Sequence, residues 1–327
     1  MSARRAAAVL ALLAAAILGG CKNPLYWAWP ARKLFVAVPT SRKIFELDRY
    51  GLRSTWGQIW LDSGATRIAY SKKRGTLFAL MPEARGLAEI SPDTYQVLYT
   101  YSTQGKSADL ALSGDESHAY VLNPDERAVV RIELATRKVL QPMFYTDGDF
   151  VPVAIAAHPA KPDDLYVASA SGSISVAQAG TKGAFFISLP GVGKVGRIVP
   201  GRKSDLYVVD ALGTNLYRIT EPDSAKIETF SLTLQGGSAT AGGDGTVYVT
   251  APGANKLVAI GADRNRNTFD VRAQTPRAVV ADSAGVYIAT EGSNQVLAMQ
   301  IIGGRLTDPQ VMDSLPGPPV DMVAVGD

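Results

Sequence analysis

The sequence predicts an all-β fold, a seven-bladed β-propeller closed by pairing of the C-terminal strand with the N-terminal blade. Three observations support this prediction. A β-rich hairpin recurs at a regular interval, further β-rich runs flank each copy, and the chain ends on a strand that no hairpin follows. A repeat of about 40 to 45 residues with four short strands is typical of one propeller blade. We therefore expect a single β-propeller domain over 34–327.

The hairpins are the clearest part of the repeat. Each has an apolar β-rich run, a polar turn and a second β-rich run. The copies begin at Leu34, Leu77, Ala119, Leu165, Leu206, Val247 and Val286. An aromatic residue marks the first run of each copy: Phe35, Phe78, Tyr120, Tyr166, Tyr207, Tyr248 and Tyr287. Successive markers are 43, 42, 46, 41, 41 and 39 residues apart. Seven copies predict seven blades.

One strand before and one after each hairpin complete the blades. The preceding runs include TRIAYS, ADLALS, PVAIAA, GRIVPG and PRAVVAD, and the following runs include YQVLYTY, KVLQPMFY, GAFFISL, KIETFSL and NTFDVRA. The first hairpin lacks a preceding strand, whereas the chain ends on PVDMVAVGD with no hairpin after it. Pairing these two ends closes the ring and removes two exposed sheet edges. An open solenoid or a β-sandwich does not account for the lone final strand.

The repeat also indicates a family. The runs LYVAS, LYVVD, VYVTA and VYIAT, each followed by a Gly/Asn turn and a Val-rich strand, resemble the YVTN-type β-propeller repeat of bacterial surface and periplasmic proteins. The resemblance covers the third to seventh blades well. The chain resembles more loosely the propeller lipoprotein that acts as a scaffold in outer-membrane β-barrel assembly, whose family has eight blades and tryptophan-containing repeats. Such resemblances imply a fold more than a function.

The N-terminus predicts export. Arg4 and Arg5 precede an apolar run from Ala6 to Leu18, so residues 1–20 read as a signal peptide. The sequence Leu18-Gly19-Gly20-Cys21 resembles the lipobox of bacterial lipoproteins, which implies acylation of Cys21, the only cysteine in the chain. The alternative is an incidental thiol. By resemblance to lipoprotein sorting, Lys22 favours the outer membrane, with the domain facing the periplasm.

Residues 21–33 would form the lipidated N-terminus and a short tether. Within the tether, Tyr26 to Pro30 reads YWAWP. These aromatic side chains would lie at the membrane interface, where such rings are favoured, or pack on the outside of a blade. Since an extended chain spans at most about 3.5 Å per residue, the tether keeps the domain close to the membrane.

Charged residues are expected at one end of the central channel. Aligning the innermost strands places one residue per blade at equivalent positions: Arg67, Asp109, Val153, Arg197, Ser238, Arg277 and Asp321. The charged ones, Arg67, Asp109, Arg197, Arg277 and Asp321, are candidate binding residues at the channel mouth. Converging charges would orient an anionic or zwitterionic ligand, or a partner's loop. Alternatively, they pair with each other and close the ring.

The residue types argue against several functions. Without Arg4 and Arg5 the chain carries 31 Lys and Arg against 30 Asp and Glu, so nucleic-acid binding is not expected. The only histidines, His118 and His158, have no evident reason to converge. Asp263 to Asn267 alternates oxygen ligands but lacks the glycine and glutamate of a calcium loop. We therefore expect no metal, no cofactor and no enzymatic activity.

The expected function is that of an envelope-anchored lipoprotein, a protein-binding or scaffolding propeller. Its expected partners are the membrane, through the lipid, and envelope proteins or peptides, with the ring acting as a monomer or as a subunit of a larger complex. Two alternatives use the channel mouth. One is a periplasmic enzyme of lactonase or lyase type, and the other is a small-ligand binding protein.

Overall fold

A computed structural model of the chain describes residues 33–48, 57–145, 150–158, 161, 164–178, 184–202, 205–220 and 226–325. The signal peptide 1–20, Cys21 and the segment Tyr26 to Pro30 lie outside the described residues. The described part is built from β-strands and two single 3-10 turns, Pro39–Ser41 and Pro252–Ala254, without an α-helix. It accordingly has no helix with the length and apolar character needed to cross a membrane.

The strands are numbered in chain order and grouped here by blade. The first two blades and the third contain β1 (Lys33–Val38), β2 (Lys43–Asp48), β3 (Gln58–Trp60), β4 (Arg67–Ser71), β5 (Thr76–Met81), β6 (Gly86–Ser91), β7 (Gln96–Ser102), β8 (Asp109–Leu112), β9 (His118–Asn123), β10 (Ala128–Glu133), β11 (Lys138–Val139) and β12 (Met143–Phe144). The fourth and fifth blades contain β13 (Pro152–Ala157), β14 (Asp164–Ser169), β15 (Ser173–Gln178), β16 (Ala184–Ser188), β17 (Val195–Pro200), β18 (Leu206–Asp210), β19 (Asn215–Thr220) and β20 (Lys226–Ser231). The last two blades and the closing strand are β21 (Ala239–Ala241), β22 (Val247–Ala251), β23 (Lys256–Ile260), β24 (Arg266–Asp270), β25 (Pro276–Ala281), β26 (Gly285–Thr290), β27 (Gln295–Ile302), β28 (Arg305–Leu306), β29 (Gln310–Ser314) and β30 (Asp321–Val325).

These strands form seven antiparallel sheets, which confirms the predicted seven-bladed β-propeller. In blades two to seven the strands follow each other outwards from the channel, with β4, β8, β13, β17, β21 and β25 innermost. The aromatic markers all lie in the second strand of their blade. In blade three the fourth position is shared by β11 and β12, and in blade seven by β28 and β29.

The ring closes as the sequence predicts. The C-terminal strand β30 is the innermost strand of blade one, where it pairs antiparallel with β1. Ala37 lies opposite Asp321, and Lys33 lies opposite Val325. One blade is therefore built from both ends of the described chain, so that unfolding either end opens the ring.

The hydrophobic core consists of seven clusters, each between two neighbouring blades. Successive side chains of a strand point to opposite faces of its sheet. In β1, Leu34 and Val36 pack towards blade seven, whereas Phe35 and Ala37 pack towards blade two. All four side chains are fully buried. Burial on both faces explains why the second strand of each blade is a nearly continuous apolar run.

A recurring turn joins the second and third strands of several blades. It begins with a proline, and the fourth residue takes a positive φ while its N–H donates to the proline carbonyl. The residues at that fourth position are Arg42 (φ 54°), Arg85 (φ 48°), Arg127 (φ 47°) and Asn255 (φ 53°). These turns lie at the end of the ring where the innermost strands begin. We call this end the mouth face, since Arg67, Asp109 and Asp321 are the first residues of β4, β8 and β30.

Candidate functional site

The innermost strands bring three arginines together at the mouth face. Arg67 comes from blade two, Arg197 from blade five and Arg277 from blade seven, and all three line one cavity of about 350 Å³. Residues from such distant blades meet only around the axis of the ring. The cavity is therefore the mouth of the central channel.

The other lining residues are mostly small or are turn residues. They are Gly196, Ala211, Gln235, Gly236, Gly237, Ser238, Pro252, Gly253 and Val320. Gly236 and Gly237 leave little side-chain bulk between blades five and six, so the cavity extends towards those blades. A Cβ on Gly236 would lie 2.7 Å from Cγ1 of Val209, and one on Gly237 would lie 2.7 Å from Cγ of Pro252. Larger residues at either position would therefore force the wall to shift.

Asp109 links three blades. Its Oδ1 accepts a hydrogen bond from Nε of Arg67 at 3.0 Å, and its Oδ2 accepts one from the backbone N–H of Ile155 at 3.0 Å. Since Asp109 belongs to blade three, it connects blade two to blade four. Its side chain is buried, so these hydrogen bonds satisfy a carboxylate that would be costly to leave unpaired.

Asp321 has the same arrangement on the closing strand. Its Oδ2 accepts a hydrogen bond from the backbone N–H of Ile68 at 3.0 Å. Its Oδ1 lies 3.8 Å from a terminal guanidinium nitrogen of Arg197, which is an ion pair without a close hydrogen bond. Asp321 therefore attaches blade one to blade two and attracts Arg197 across the channel.

The nearby carboxylates neutralise the three arginines only in part. Burial lowers the pKa of Arg67, but Asp109 and Asp321 raise it by more, so the net shift is upward and the guanidinium stays protonated. Arg277 lies 3.8 Å from Glu291, and because about half of each side chain is exposed the pair contributes little. Three guanidinium groups thus face the cavity, whereas Asp109 and Asp321 each use one carboxylate oxygen to accept a hydrogen bond from a backbone N–H.

Asp210 supports the adjoining wall. Its two carboxylate oxygens accept four backbone N–H groups, from Gly193, Lys194, Leu212 and Gly213, at 2.8 to 3.1 Å. Burial raises the pKa of Asp210, but the four donors lower it by more, so the net shift is downward. This carboxylate fixes the connection that precedes β17 and the turn that follows Ala211, which lines the cavity.

The predicted alignment of channel residues differs from the structure in two blades. Four of the aligned residues occupy equivalent positions, because each pairs with the residue that lies two places after the aromatic marker of its own blade. They are Arg67, Asp109, Arg197 and Asp321. Ser238 occupies the same position in blade six, since its carbonyl accepts a hydrogen bond from the N–H of Thr250, two places after Tyr248. In blades four and seven, β-bulges place Ala154 and Ala278 at this position instead of Val153 and Arg277. The bulge leaves Arg277 unpaired in the ladder, and its side chain still reaches the cavity.

The two histidines lie away from this cavity. His118 is the first residue of β9 and lies at the far end of blade three from Asp109. Its Nδ1 forms a hydrogen bond with the hydroxyl of Ser117 at 2.7 Å. His158 follows the last residue of β13, and its Nδ1 accepts the N–H of Lys161 at 2.9 Å. Among the described residues, no group of three or more His, Cys, Asp or Glu is placed to hold a metal ion.

Several lining residues were not predicted from the sequence. Gln235, Gly236, Gly237, Pro252 and Gly253 belong to connections rather than to innermost strands. The glycine pair before β21 and the Pro-Gly after β22 were visible as turns, but their position beside the arginines depends on how blades five and six pack.

Comparison with solved structures shows the propeller fold. Virginiamycin B lyase from Staphylococcus aureus superposes with a TM-score of 0.68 at 17% identity, covering 87% of this chain and 89% of the lyase. A protein from Lactobacillus plantarum gives a TM-score of 0.74 at 17% identity, covering 90% and 99%. A functionally unknown protein from Desulfotomaculum acetoxidans gives 0.73 at 13% identity, covering 89% and 98%. No protein-family model and no curated protein sequence matches the chain.

These comparisons correct one expectation. The residue types led us to expect that the chain is not an enzyme. That expectation is wrong, because the structural neighbours include a lyase and the propeller fold is therefore enzymatic in some relatives. At 17% identity the similarity shows the fold alone. The resemblance to YVTN repeats and to bacterial lipoproteins stays a prediction.

Proposed function

We propose that this chain is an envelope-anchored binding propeller that takes an anionic group of its ligand at the channel mouth. The observation that carries the proposal is the convergence of Arg67, Arg197 and Arg277 on one cavity. A guanidinium donates several hydrogen bonds in a fixed plane and pairs well with carboxylate or phosphate. Three such groups from three blades would bind an anion more strongly than any one of them.

The size of the cavity limits what enters it. Ligand cavities in proteins are usually about 300 to 1,000 Å³, and this one is about 350 Å³. It would therefore receive a small acidic molecule, an acidic side chain or the carboxylate end of a peptide. In the proposed setting, Cys21 carries the lipid that holds the ring at the outer membrane, and an envelope protein or peptide supplies the acidic group.

The experiment is affinity purification of the lipidated chain from envelope fractions, with proteins identified by mass spectrometry and small molecules by native mass spectrometry. Single substitutions Arg67→Gln, Arg197→Gln and Arg277→Gln should each reduce the retained ligand. Arg202→Gln is a suitable control, because Arg202 lies in the loop after β17 at the opposite face. Retention of the same ligands by all three variants would contradict binding at the mouth.

A lyase-type enzyme is the second candidate, and the virginiamycin B lyase structures favour it. One of them, a catalytically inactive variant, is described with quinupristin. In an enzyme of that class, the arginines would bind the substrate through hydrogen bonds to a negatively charged oxygen. Incubation of this chain with quinupristin, followed by chromatography, tests that reaction class. Consumption that is lost in Arg67→Gln would support catalysis at the mouth, and a stable compound would count against quinupristin as substrate.

A further inference from the structure

An exposed apolar stretch lies on the outer rim of blade two. Val97, Leu98 and Tyr99 are consecutive residues of β7, and their exposed fractions are 42%, 44% and 41%. We call these three residues the rim patch. β7 is the terminal strand of its sheet. In blades five and six, by contrast, the terminal strands read KIETFS and RNTFD, which are mostly polar.

The rim patch has an irregular backbone. Glu89 pairs with Tyr99 and Ile90 pairs with Val97, so Leu98 lies in a β-bulge between them. A bulge interrupts the regular row of backbone groups that another strand would need for pairing. The exposed side chains are therefore better suited to contact a fluid apolar surface than to pair with a further strand.

A basic group lies beside the apolar side chains. The guanidinium of Arg137 lies 5.0 Å from the centroid of the Tyr99 ring, and 43% of its side chain is exposed. Arg137 is also 3.3 Å from Glu89, a buried carboxylate that accepts hydrogen bonds from Arg74 and Tyr101. Aromatic and aliphatic side chains next to a half-exposed arginine match the interface of a bilayer with anionic headgroups.

The described chain begins close to this patch. Lys33, the first residue of β1, lies 3.1 Å from Glu46, and its Nζ is 5.8 Å from the centroid of the Tyr95 ring. Tyr95 directly precedes β7. Lys33 also lies opposite Val325, at the end of the ring away from the mouth. The chain thus enters the ring beside the rim patch and at the face opposite the arginines.

We propose that the rim patch docks on a lipid surface, with Val97, Leu98 and Tyr99 among the acyl chains and headgroups and Arg137 beside lipid phosphate. This inference rests on the proposed envelope anchoring, because a lipid on Cys21 would be twelve residues from Lys33. Twelve residues span at most about 40 Å. Such docking leaves the mouth face open to ligands from the aqueous compartment.

Vesicle binding by a chain without the anchor tests the proposal. The chain 31–327 keeps every described residue and the closure between β1 and β30, and it lacks Cys21 and both tryptophans of the tether. Its partitioning onto vesicles of phosphatidylethanolamine and phosphatidylglycerol is measured by co-sedimentation. Leu98→Asp should lower the partition coefficient at least about tenfold, since it removes apolar contact and adds charge near an anionic surface.

Val311→Asp is the matched control. Val311 is 56% exposed on β29, a terminal strand of blade seven. The substitution Val311→Asp therefore introduces the same charge at a comparable position outside the rim patch. Binding that falls equally in both variants, or that appears only when residues 22–30 are restored, would overturn the proposal. Circular dichroism establishes that both variants fold.

The same variants separate this inference from the proposed function. Leu98→Asp should leave ligand binding at the channel mouth unchanged, because the rim patch contributes no residue to that cavity. Loss of vesicle binding with intact mouth binding supports both proposals. Absence of vesicle binding by the unsubstituted chain 31–327, with intact mouth binding, overturns only the docking of the rim patch.

Discussion

Asp109 is the position at which one substitution should weaken three blades at once. Asp109→Ala removes the acceptor for Nε of Arg67 and for the N–H of Ile155. Each hydrogen bond to a charged group contributes about 1.5 to 3 kcal/mol, and breaking a buried ion pair costs about 3 to 5 kcal/mol. The side chain of Arg67 is 24% exposed and is also attracted electrostatically by Asp321, so it keeps some compensation when Asp109 is removed. We therefore expect a loss near the lower limit, about 3 kcal/mol.

The assay is thermal and urea unfolding of the unsubstituted chain and the variant. The domain from Lys33 to Val325 spans about 290 residues, so its entropy of unfolding near Tm is about 0.6 kcal/mol/K, and a loss of about 3 kcal/mol corresponds to a decrease in Tm of about 5 °C. Glu83→Ala is the control, because its ion pair with Lys106 joins two side chains that are 74% and 60% exposed and should contribute at most about 1 kcal/mol. A decrease for Asp109→Ala no larger than that of Glu83→Ala would refute the linking role of Asp109.

Three further predictions address the wall, the core and the mouth. Asp210→Asn should destabilise the ring at neutral pH, and the difference from the unsubstituted chain should shrink as the pH falls below about 4. The reason is that the pKa of Asp210 is lower in the folded chain than in the unfolded chain. Its carboxylate therefore stabilises the folded chain at a pH above the unfolded-state pKa, and this stabilisation is lost as the pH falls through the folded-state pKa. Measurement of Tm as a function of pH checks this prediction. Phe35→Ala, at a fully buried position between blades one and two, should cost about 3 to 5 kcal/mol in urea unfolding, whereas Phe186→Ala, at a residue 44% exposed, should cost less than half of that. Ligand retention at the mouth should weaken as salt rises, and Arg277→Gln should reduce that salt dependence, since Arg277 is the most exposed of the three arginines; titration at two ionic strengths checks it.

The fold could be predicted because each blade carries its own information. The aromatic markers and polar turns specify local hairpins, and the unpartnered final strand specifies closure with β1. The charged residues of the innermost strands were also visible, since Arg67 and Asp109 lie 11 residues, and Arg197 and Arg277 lie 10 residues, before the aromatic marker of their blade. The hairpins depend on pairing between strands that are near each other in sequence, whereas the closure pairs strands from the two ends of the described chain.

The details of the mouth could not be predicted in the same way. A β-bulge shifts Val153 and Arg277 by one position, and the sequence contains no clear sign of the extra residue. Gly236 and Gly237 reach the cavity only through the packing of two blades. The absence of clustered histidines led to the wrong expectation about catalysis, because function belongs to sites that different members of a fold build differently.

The most direct test of the anion site is the affinity of the purified chain for the ligand recovered from envelope fractions, measured by titration calorimetry. We predict that Arg67→Gln, Arg197→Gln and Arg277→Gln each weaken binding about tenfold or more, as expected for loss of a charged hydrogen bond. Arg202→Gln should bind like the unsubstituted chain. Equal affinity in all four variants would contradict the claim that the three arginines form the binding site.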